Sequence, residues 1–307
     1  MKRAVVFAYH DVGVRCLSVL LAHGMDVALV VTHEDDSAEQ IWFQSVAALA
    51  REHRLPLLTP ADPNIPELVE RVRALRPDFL FSFYYRKLLG APLLKAAGGA
   101  FNMHGSLLPK YRGRAPVNWA IIRGERETGA TLHEMVEQPD AGRIVDQQPV
   151  PILPNDTAIE VFRKVTVAAE MVLDRSLLRL LAGTASLKPQ DLSAGSYYGR
   201  RTPEAGRIDW TRSAWEIHNL VRAVAPPYPG AFADVRGRRL RLLRTLWLPG
   251  EDDCPGQPAL LERQGEIYVR CIKGGLLRVI EAELDGRPLR AGDLRQTFGT
   301  DVVRLSS

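Results

Sequence analysis

Three polar side chains stand at every second position of Asn102-Met103-His104-Gly105-Ser106, and Asp140-Ala141-Gly142 begins 36 residues after His104. In an extended segment alternate side chains share a face. Asn102, His104 and Ser106 therefore project together, while Phe101, Met103 and Gly105 project the other way. Three polar groups on one face of an otherwise apolar strand are expensive to bury unless they serve something. An amide donor beside an imidazole, with an acid to orient the ring, is the equipment of acyl transfer. Spacing alone leaves His104 open between catalyst and ordinary buried histidine. It leaves Asp140, which follows Pro139, open between catalytic acid and turn former.

The remaining candidates read more plainly. His23, His33, His53 and His218 have no such company and read as core or surface residues. His10 and Asp11 read as turn residues close to the same mouth. Met103, Leu107 and Leu108 are core and loop anchors. The basic loop Arg112-Gly113-Arg114 is either a solvated turn or an anion clamp. Tyr228, inside the Pro-rich turn 226–230, could simply pack a domain junction.

The elements that must position these residues alternate. Strand-like runs at 4–9, 27–32, 56–58, 79–83 and 100–104 are separated by amphipathic stretches at 14–23, 41–53, 64–76 and 92–96. That alternation predicts an α/β fold with a Rossmann-like, doubly wound, mostly parallel sheet. Such sheets bind ligands outside the carboxyl ends of their strands. Those ends here are Tyr9-His10-Asp11, Tyr84-Tyr85-Arg86 and His104-Gly105-Ser106. The first turn has a single glycine, Gly13, so the dinucleotide fingerprint is missing and no NAD is expected. A long helix is predicted over 157–181, opened by a capping box at Thr157 and Glu160 and stopped at Gly183. Another is capped at Ser213 and runs to about 224. Short β-runs follow at 231–235, 240–248, 266–272 and 276–282. The expected division is a catalytic domain over 1–190, a linker over 191–204 and a smaller β-rich C-terminal domain over 205–307.

The composition is that of an ordinary globular protein: 307 residues, 46% hydrophobic, 25% charged and a formal net charge of +4. Such a chain is long enough for two cores, and its scattered arginines permit an anionic substrate without requiring nucleic acid. Cys16, Cys254 and Cys271 have no metal-ligand spacing and read as free thiols, with no metal expected. No segment reaches the roughly 20 apolar residues of a membrane helix. A cytoplasmic protein with no membrane partner is expected.

With NMHGSLLP at 102–109 and Asp140 downstream, the sequence resembles the formyltransferases that use 10-formyltetrahydrofolate. FNMHGSLLPKYRGRAPVNW (101–119), ERETGATLHEMVEQPDAGRI (125–144), VVFAYHDVG (5–13), FSFYYRKLL (81–89), YYGRRTPE (197–204) and VRAVAPPYPGAF (221–232) extend the resemblance over essentially the whole chain. These stretches look most like the aminosugar branch, which formylates UDP-4-amino-4-deoxy-L-arabinose in lipid A modification and polymyxin resistance. The resemblance covers the formyltransferase half of a bifunctional protein, so the chain is either a stand-alone enzyme or an excised domain.

The resemblance implies a formyl transfer from folate N10 to the sugar's 4-amino group. Asn102 would donate to the developing oxyanion. His104, charged through pairing with Asp140, would stabilise that oxyanion or protonate the leaving nitrogen. Asp140 could also accept the amine's proton through water. By the same resemblance, Arg86, Lys87, Leu88, Arg114 and the segment Val136-Glu137-Gln138-Pro139 should line the folate pocket. The family is more basic before the acid, which favours backbone contacts there. His10, Arg201 and Tyr228 are candidate contacts to the UDP-linked sugar.

Methionyl-tRNA formyltransferase is the main alternative, followed by an enzyme for another nucleotide-linked 4-aminosugar. A tRNA acceptor needs several cationic phosphate contacts, and that family carries a basic loop after its second strand. Here the corresponding stretch, 32–40, is acidic. Glycinamide ribonucleotide formyltransferase is generally shorter. A formyl-folate hydrolase would use water as acceptor, and a plain folate-binding module would leave the polar face idle.

Overall fold

The computed structural model describes residues 2–35, 41–250 and 256–305; part of the acidic stretch, 36–40, and Cys254 lie outside them. In chain order the first elements are β1 (Arg3–Ala8), α1 (His10–Ala22), β2 (Asp26–Val31), α2 (Val46–Glu52), β3 (Leu57–Leu58), α3 (Pro66–Leu75), β4 (Phe79–Phe83), α4 (Ala91–Leu94) and β5 (Gly99–His104). There follow β6 (Arg112–Gly113), α5 (Pro116–Ile122), β7 (Glu127–Glu134), β8 (Ile144–Pro151), α6 (Ala158–Leu181) and β9 (Tyr197–Tyr198). The last are α7 (Ala214–Ala223), β10 (Ala231–Val235), β11 (Arg238–Leu248), β12 (Ala259–Arg263), β13 (Glu266–Arg270), β14 (Leu276–Leu284), β15 (Arg287–Pro288), α8 (Asp293–Phe298) and β16 (Val302–Arg304).

One compact unit comprises 1–116, 128–150 and 162–199. Its sheet has the order β3-β2-β1-β4-β5-β7-β8. β3, β2, β1, β4 and β5 run parallel, and β7 is antiparallel to β5. Residues 4–8 of β1 are wholly buried, as expected of a strand covered on both faces. The winding reverses between β1 and β4, so their carboxyl ends open the crevice at Tyr9 and Tyr84, with β5 beside it. Phe7, Leu29, Val31, Leu80 and Leu93 fill the core on one side.

β7 and β8 are absent from the sequence expectation for understandable reasons. β7 carries Gly129 and is buried nearly throughout, so it lacks a period-two pattern. β8 holds two prolines and stands at the sheet edge, where a missing N–H is tolerated.

The second unit comprises 117–127, 151–161 and 200–307. It is a mostly antiparallel sheet in the order β10-β11-β14-β13-β12-β16, with β15 on β14. α7 packs its Ile217 and Val221 with Trp210, Leu242, Val269 and Leu277. The expected capping box of α7 forms between Ser213 and Glu216.

The division differs from a catalytic domain over 1–190, because two early segments belong to the second unit. Buried Arg222 donates to the carbonyls of Leu153 and Asp156 at 3.0 Å each, and His218 bonds the Pro154 carbonyl at 2.9 Å. Asn118 donates to the Ala223 carbonyl at 2.7 Å. The stretch expected as a linker, 191–204, contributes β9, which pairs with β6 in the first unit.

Among the described residues, no helix is long and apolar enough to cross a membrane. Cys16 and Cys271 are buried free thiols, and burial pushes the Cys271 thiol up to about 12.

Candidate active site

β5 delivers Asn102 and His104 to the carboxyl end of the sheet, one strand from the crevice. β7 lies alongside, with Asn102 opposite His133 and His104 opposite Thr131. His104 is buried, and its Nε2 sits 2.8 Å from the Tyr111 carbonyl. A carbonyl only accepts, so Nε2 carries a hydrogen. Nδ1 of the same ring faces Asp140 Oδ1 at 3.6 Å.

Asp140 reaches this position from a tight loop. Its own φ is 55°, a left-handed conformation that Asp tolerates better than most residues. The turn requires glycine at 142, where a Cβ would come within 2.1 Å of the Glu134 carbonyl oxygen. Gln190 spans the loop, its Nε2 donating to the carbonyls of Asp140 at 3.0 Å and Gly142 at 2.6 Å. The Gly113 N–H donates to Asp140 Oδ2 at 2.8 Å.

Asp140 is thus a carboxylate held by three partners. Burial works to raise its pKa. The attraction of His104, the contact with His133 at 3.4 Å and the Gly113 N–H override that term and hold the carboxyl well below the usual range. An acid so depressed is a weak proton acceptor near neutrality. Its suited work is to orient imidazoles and oppose positive charge, rather than to take the amine's proton.

Asn102 completes the cluster: its Nδ2 lies 3.4 Å from Asp140 Oδ1 and 3.1 Å from His133 Nε2. His133 went unread in the sequence. Its signal was available, since a strand over 127–134 would place Thr131 and His133 on one face beside β5.

Ser106 lies beyond β5 and belongs to the loop. Its hydroxyl donates to the Lys110 carbonyl at 2.6 Å, and Thr131 Oγ1 donates to the Ser106 carbonyl at 2.6 Å. It braces the turn that carries Tyr111.

The residues expected around folate fall on three largely exposed stretches of the first unit. Arg86, Lys87 and Leu88 follow β4, and Arg114 Nη2 donates to the Arg86 carbonyl at 3.0 Å, which joins the two loops. The Arg86 guanidinium stands 4.7 Å from the Tyr9 ring centre. Val136, Glu137, Gln138 and Pro139 lead into Asp140, and the Ala141 N–H bonds the Gln138 carbonyl at 3.3 Å. Leu88 and Val136 are large apolar side chains left 69% and 45% exposed. Exposed apolar surface flanked by Arg86, Lys87 and Arg114 suits an anionic ligand with an aromatic body. A cavity of about 580 Å³ also opens behind the Asp140 loop, lined by Ala97, Gly99, Met135, Val136, Arg143 and Gln190 among others. Val136 alone of the expected folate residues borders it.

His10 departs from its expected place. It is the first residue of α1 with φ 69°, not part of an open turn. Its ring stacks on Phe43 at 3.9 Å and meets Trp42 and Phe162 edgewise at 4.5 and 4.7 Å. Burial, reinforced by Arg86, pushes its pKa down to about 3. His10 is therefore a neutral ring packed among aromatics. Arg201 and Tyr228 lie in the second unit. The Arg201 guanidinium sits 5.0 Å from the Trp119 ring centre and donates to the Ala205 carbonyl. Tyr228 is packed against the second core, where burial raises its pKa and Asn118 opposes the rise by hydrogen bonding.

Residues 5–177 match the formyl transferase family, and residues 200–298 match the formyl transferase C-terminal domain. The chain belongs to the formyl transferase family. Solved structures share its fold. The N-formyltransferase from Helicobacter canadensis, in complex with folinic acid and dTDP-3-aminofucose, is similar at a TM-score of 0.74 and 21% identity, over 91% of this chain and 99% of that one. The sugar 3N-formyltransferase WlaRD, with dTDP and 5-N-formyl-tetrahydrofolate, gives 0.72 and 20% over 91% and 97%. HypX from Aquifex aeolicus in complex with tetrahydrofolic acid gives 0.63 and 19%; 96% of this chain aligns with only 47% of that larger protein. In this formyltransferase, buried His104 and half-buried Asn102 and Asp140 cluster at the carboxyl end of β5.

Proposed function

We propose that this enzyme moves the formyl group of 10-formyltetrahydrofolate onto the 4-amino group of UDP-4-amino-4-deoxy-L-arabinose. That is the reaction of the formyltransferase half of the polymyxin-resistance protein ArnA, in lipid A modification. The observation that carries the formyl-transfer chemistry is the contact of Asn102, His104 and His133 with one depressed carboxylate, Asp140. The aminosugar acceptor is supported by the sequence likeness to ArnA and by the bound ligands of the similar sugar N-formyltransferases.

The folate supplies an activated formyl group on nitrogen. Arg86, Lys87 and Arg114 are the cations to hold its carboxylates, and Leu88 and Val136 the apolar surface for its aromatic part. Asn102 directs an amide N–H to the oxygen that gains negative charge as the amine adds. Losing one such donor costs about 10²–10³ in rate. His104 is oriented through its Nε2 bond to the Tyr111 carbonyl, and its Nδ1 faces Asp140 at 3.6 Å. Asp140 stays ionised facing His104; His104 would pass a proton to the leaving folate nitrogen while the amine gives one up through water. Arg201, with Trp119 beneath it, and Tyr228 are the candidate contacts for the sugar nucleotide.

A tRNA acceptor is disfavoured by Glu34, Asp35, Asp36 and Glu39, which would repel a phosphate backbone. The test offers UDP-4-amino-4-deoxy-L-arabinose, a dTDP-4-aminosugar, a dTDP-3-aminosugar and methionyl-tRNA in parallel, each with the folate donor. Preferential formylation of the UDP sugar is expected. Preference for a dTDP sugar would redirect the acceptor, and formylation of the tRNA alone would overturn the reading.

A further inference from the structure

We propose that His33 and Asn64 are positioning residues for the folate: they clamp the two ends of the 86–90 loop and present Arg86, Lys87 and Leu88 in a preformed arrangement. This rests on the reading of those three residues as folate contacts.

The loop has no regular structure of its own to hold it. β4 ends at Phe83, Tyr84 takes a left-handed conformation with φ 56°, and neither strand nor helix resumes before Ala91. Arg86, Lys87 and Leu88 are exposed, and the backbone of such a segment ordinarily bonds to water. Here side chains from three other loops take its polar groups instead. The Arg86 N–H donates to His33 Nε2 at 3.1 Å, and the Arg86 carbonyl accepts from Arg114 Nη2 at 3.0 Å. At the far end, Asn64 Nδ2 donates to the Leu88 carbonyl at 3.0 Å, and Asn64 Oδ1 accepts the Gly90 N–H at 2.6 Å.

Both clamps are themselves held in one orientation. A backbone N–H can only donate, so His33 Nε2 accepts and carries no hydrogen. The ring stacks on Tyr85 at 4.1 Å and meets Tyr9 edgewise at 5.1 Å. Burial, reinforced by Lys87 and Arg86, pushes the His33 pKa down to about 4, so the acceptor persists near neutrality. For Asn64, the Gly90 N–H fixes which end of the amide is oxygen, and Nδ2 also donates to Asp62 Oδ1 at 3.2 Å. Tyr85 and Leu89 anchor the loop in the core of the first unit, while Leu88 stays 69% exposed.

A ligand that meets a loop already in place does not have to order it. Its apparent affinity is the intrinsic affinity multiplied by the fraction of molecules in the competent arrangement. Releasing either end lowers that fraction. Neither clamp belongs to the Asn102, His104 and Asp140 cluster, so the loss falls on folate binding and leaves the transfer step alone.

The test measures KM for 10-formyltetrahydrofolate and for the sugar nucleotide, kcat, and the Kd of folinic acid. His33→Phe keeps a flat ring beside Tyr85 and removes the acceptor; Asn64→Ala removes both bonds to the loop. Each should raise the folate KM and the folinic acid Kd by about 3- to 10-fold, the ratio equivalent to the net worth of a hydrogen bond. The kcat at saturating folate and the KM for the sugar nucleotide should stay near wild type. His33→Gln, which can place Oε1 near the Nε2 position, should recover most of the loss. An unchanged folate KM in both folded variants, or a loss confined to kcat, overturns the proposal. Amide hydrogen exchange on the unmodified enzyme decides if the variants fail to fold. The Arg86 and Gly90 amides should exchange more slowly than the Lys87 amide between them, and equal rates overturn the clamp. Slow exchange at Arg86 and Gly90, with unchanged folinic acid affinity in Lys87→Ala and Leu88→Asp, would instead remove the folate reading of the loop and the proposal with it.

Discussion

The backbone N–H of Gly113 donates to Asp140 Oδ2 at 2.8 Å, and both residues hold left-handed backbone conformations, with φ of 95° and 55°. A conformation that glycine adopts freely and one that costs Asp140 are thus joined by one charge-assisted hydrogen bond, at a carboxylate that also faces two imidazoles. Strain of this kind persists where surrounding structure over-determines it, and it concentrates at functional sites.

Gly113→Ala should therefore damage both fold and activity. A Cβ there would meet the Tyr198 carbonyl oxygen at 2.2 Å, across the β6–β9 pair. The left-handed conformation alone costs on the order of 1–3 kcal/mol. A lower thermal midpoint, with turnover falling even at temperatures where the variant stays folded, is expected from paired melting and rate measurements.

Asn102→Ala should bind folate as before and turn over about 10²–10³ times more slowly. Titration of a fluorescent folate analogue, run beside initial rates, separates the two effects. Wild-type-like turnover would remove Asn102 from the chemistry.

Asp140→Asn keeps the shape of the side chain and removes the charge facing His104 and His133. A turnover loss of about 10²–10⁴ is expected, the scale of acid–base assistance. The pH dependence has a definite sign. The native carboxyl is depressed below its ordinary 3.8, so its stabilising contribution is complete above that value and is lost as pH falls below it. Acid unfolding of Asp140→Asn should lack that component, and wild-type rates should show no Asp140 limb between roughly pH 5 and 8.

His10 supplies a separate acid sensitivity. Its pKa falls from 6.5 to about 3 on burial beside Phe43, Trp42 and Phe162. Below pH 6.5 the unfolded chain binds a proton that the native ring refuses, so stability falls as pH drops from 6.5 towards 3. His10→Phe should flatten that branch of the stability curve, as read by urea unfolding at several pH values, and should leave turnover within a few-fold. Loss of sugar-nucleotide affinity in this variant would mark His10 as a contact.

Gln190→Leu removes the side chain that ties the carbonyls of Asp140 and Gly142. The carboxylate should then wander relative to His104. Turnover is expected to drop by about 10- to 100-fold, in keeping with displacements near 1 Å. A crystal structure of the variant would show whether the 140–142 loop has moved.

Much of this was legible in residue order. Alternating β-rich and amphipathic runs are strong signals when strands are buried on both faces, and β1, β2, β4 and β5 appear within one residue at each end of the expected segments. The pattern Asn102, His104 and Asp140 named a reaction class, because its residue types are costly to bury for any other purpose. His133 was hidden by β7, whose nearly continuous burial erases the alternation that marks a half-exposed strand. His10, which follows a strand end and so reads as a turn residue, instead opens α1, and the helix turns its ring into a pocket of aromatics.

Local chemistry and periodicity are written along the chain, so the strand-end placement of Asn102 and His104 could be stated before any coordinates. What joins them to Asp140 could not. A turn at 140–142 that needs Gly142, a clamp from Gln190, a donor from Gly113 and a second imidazole across β7 all come from segments distant in sequence. Their meeting depends on sheet register and loop path. Those are settled only when non-local backbone pairs form, and so the site's residue types belong to the sequence while its electrostatics belong to the fold.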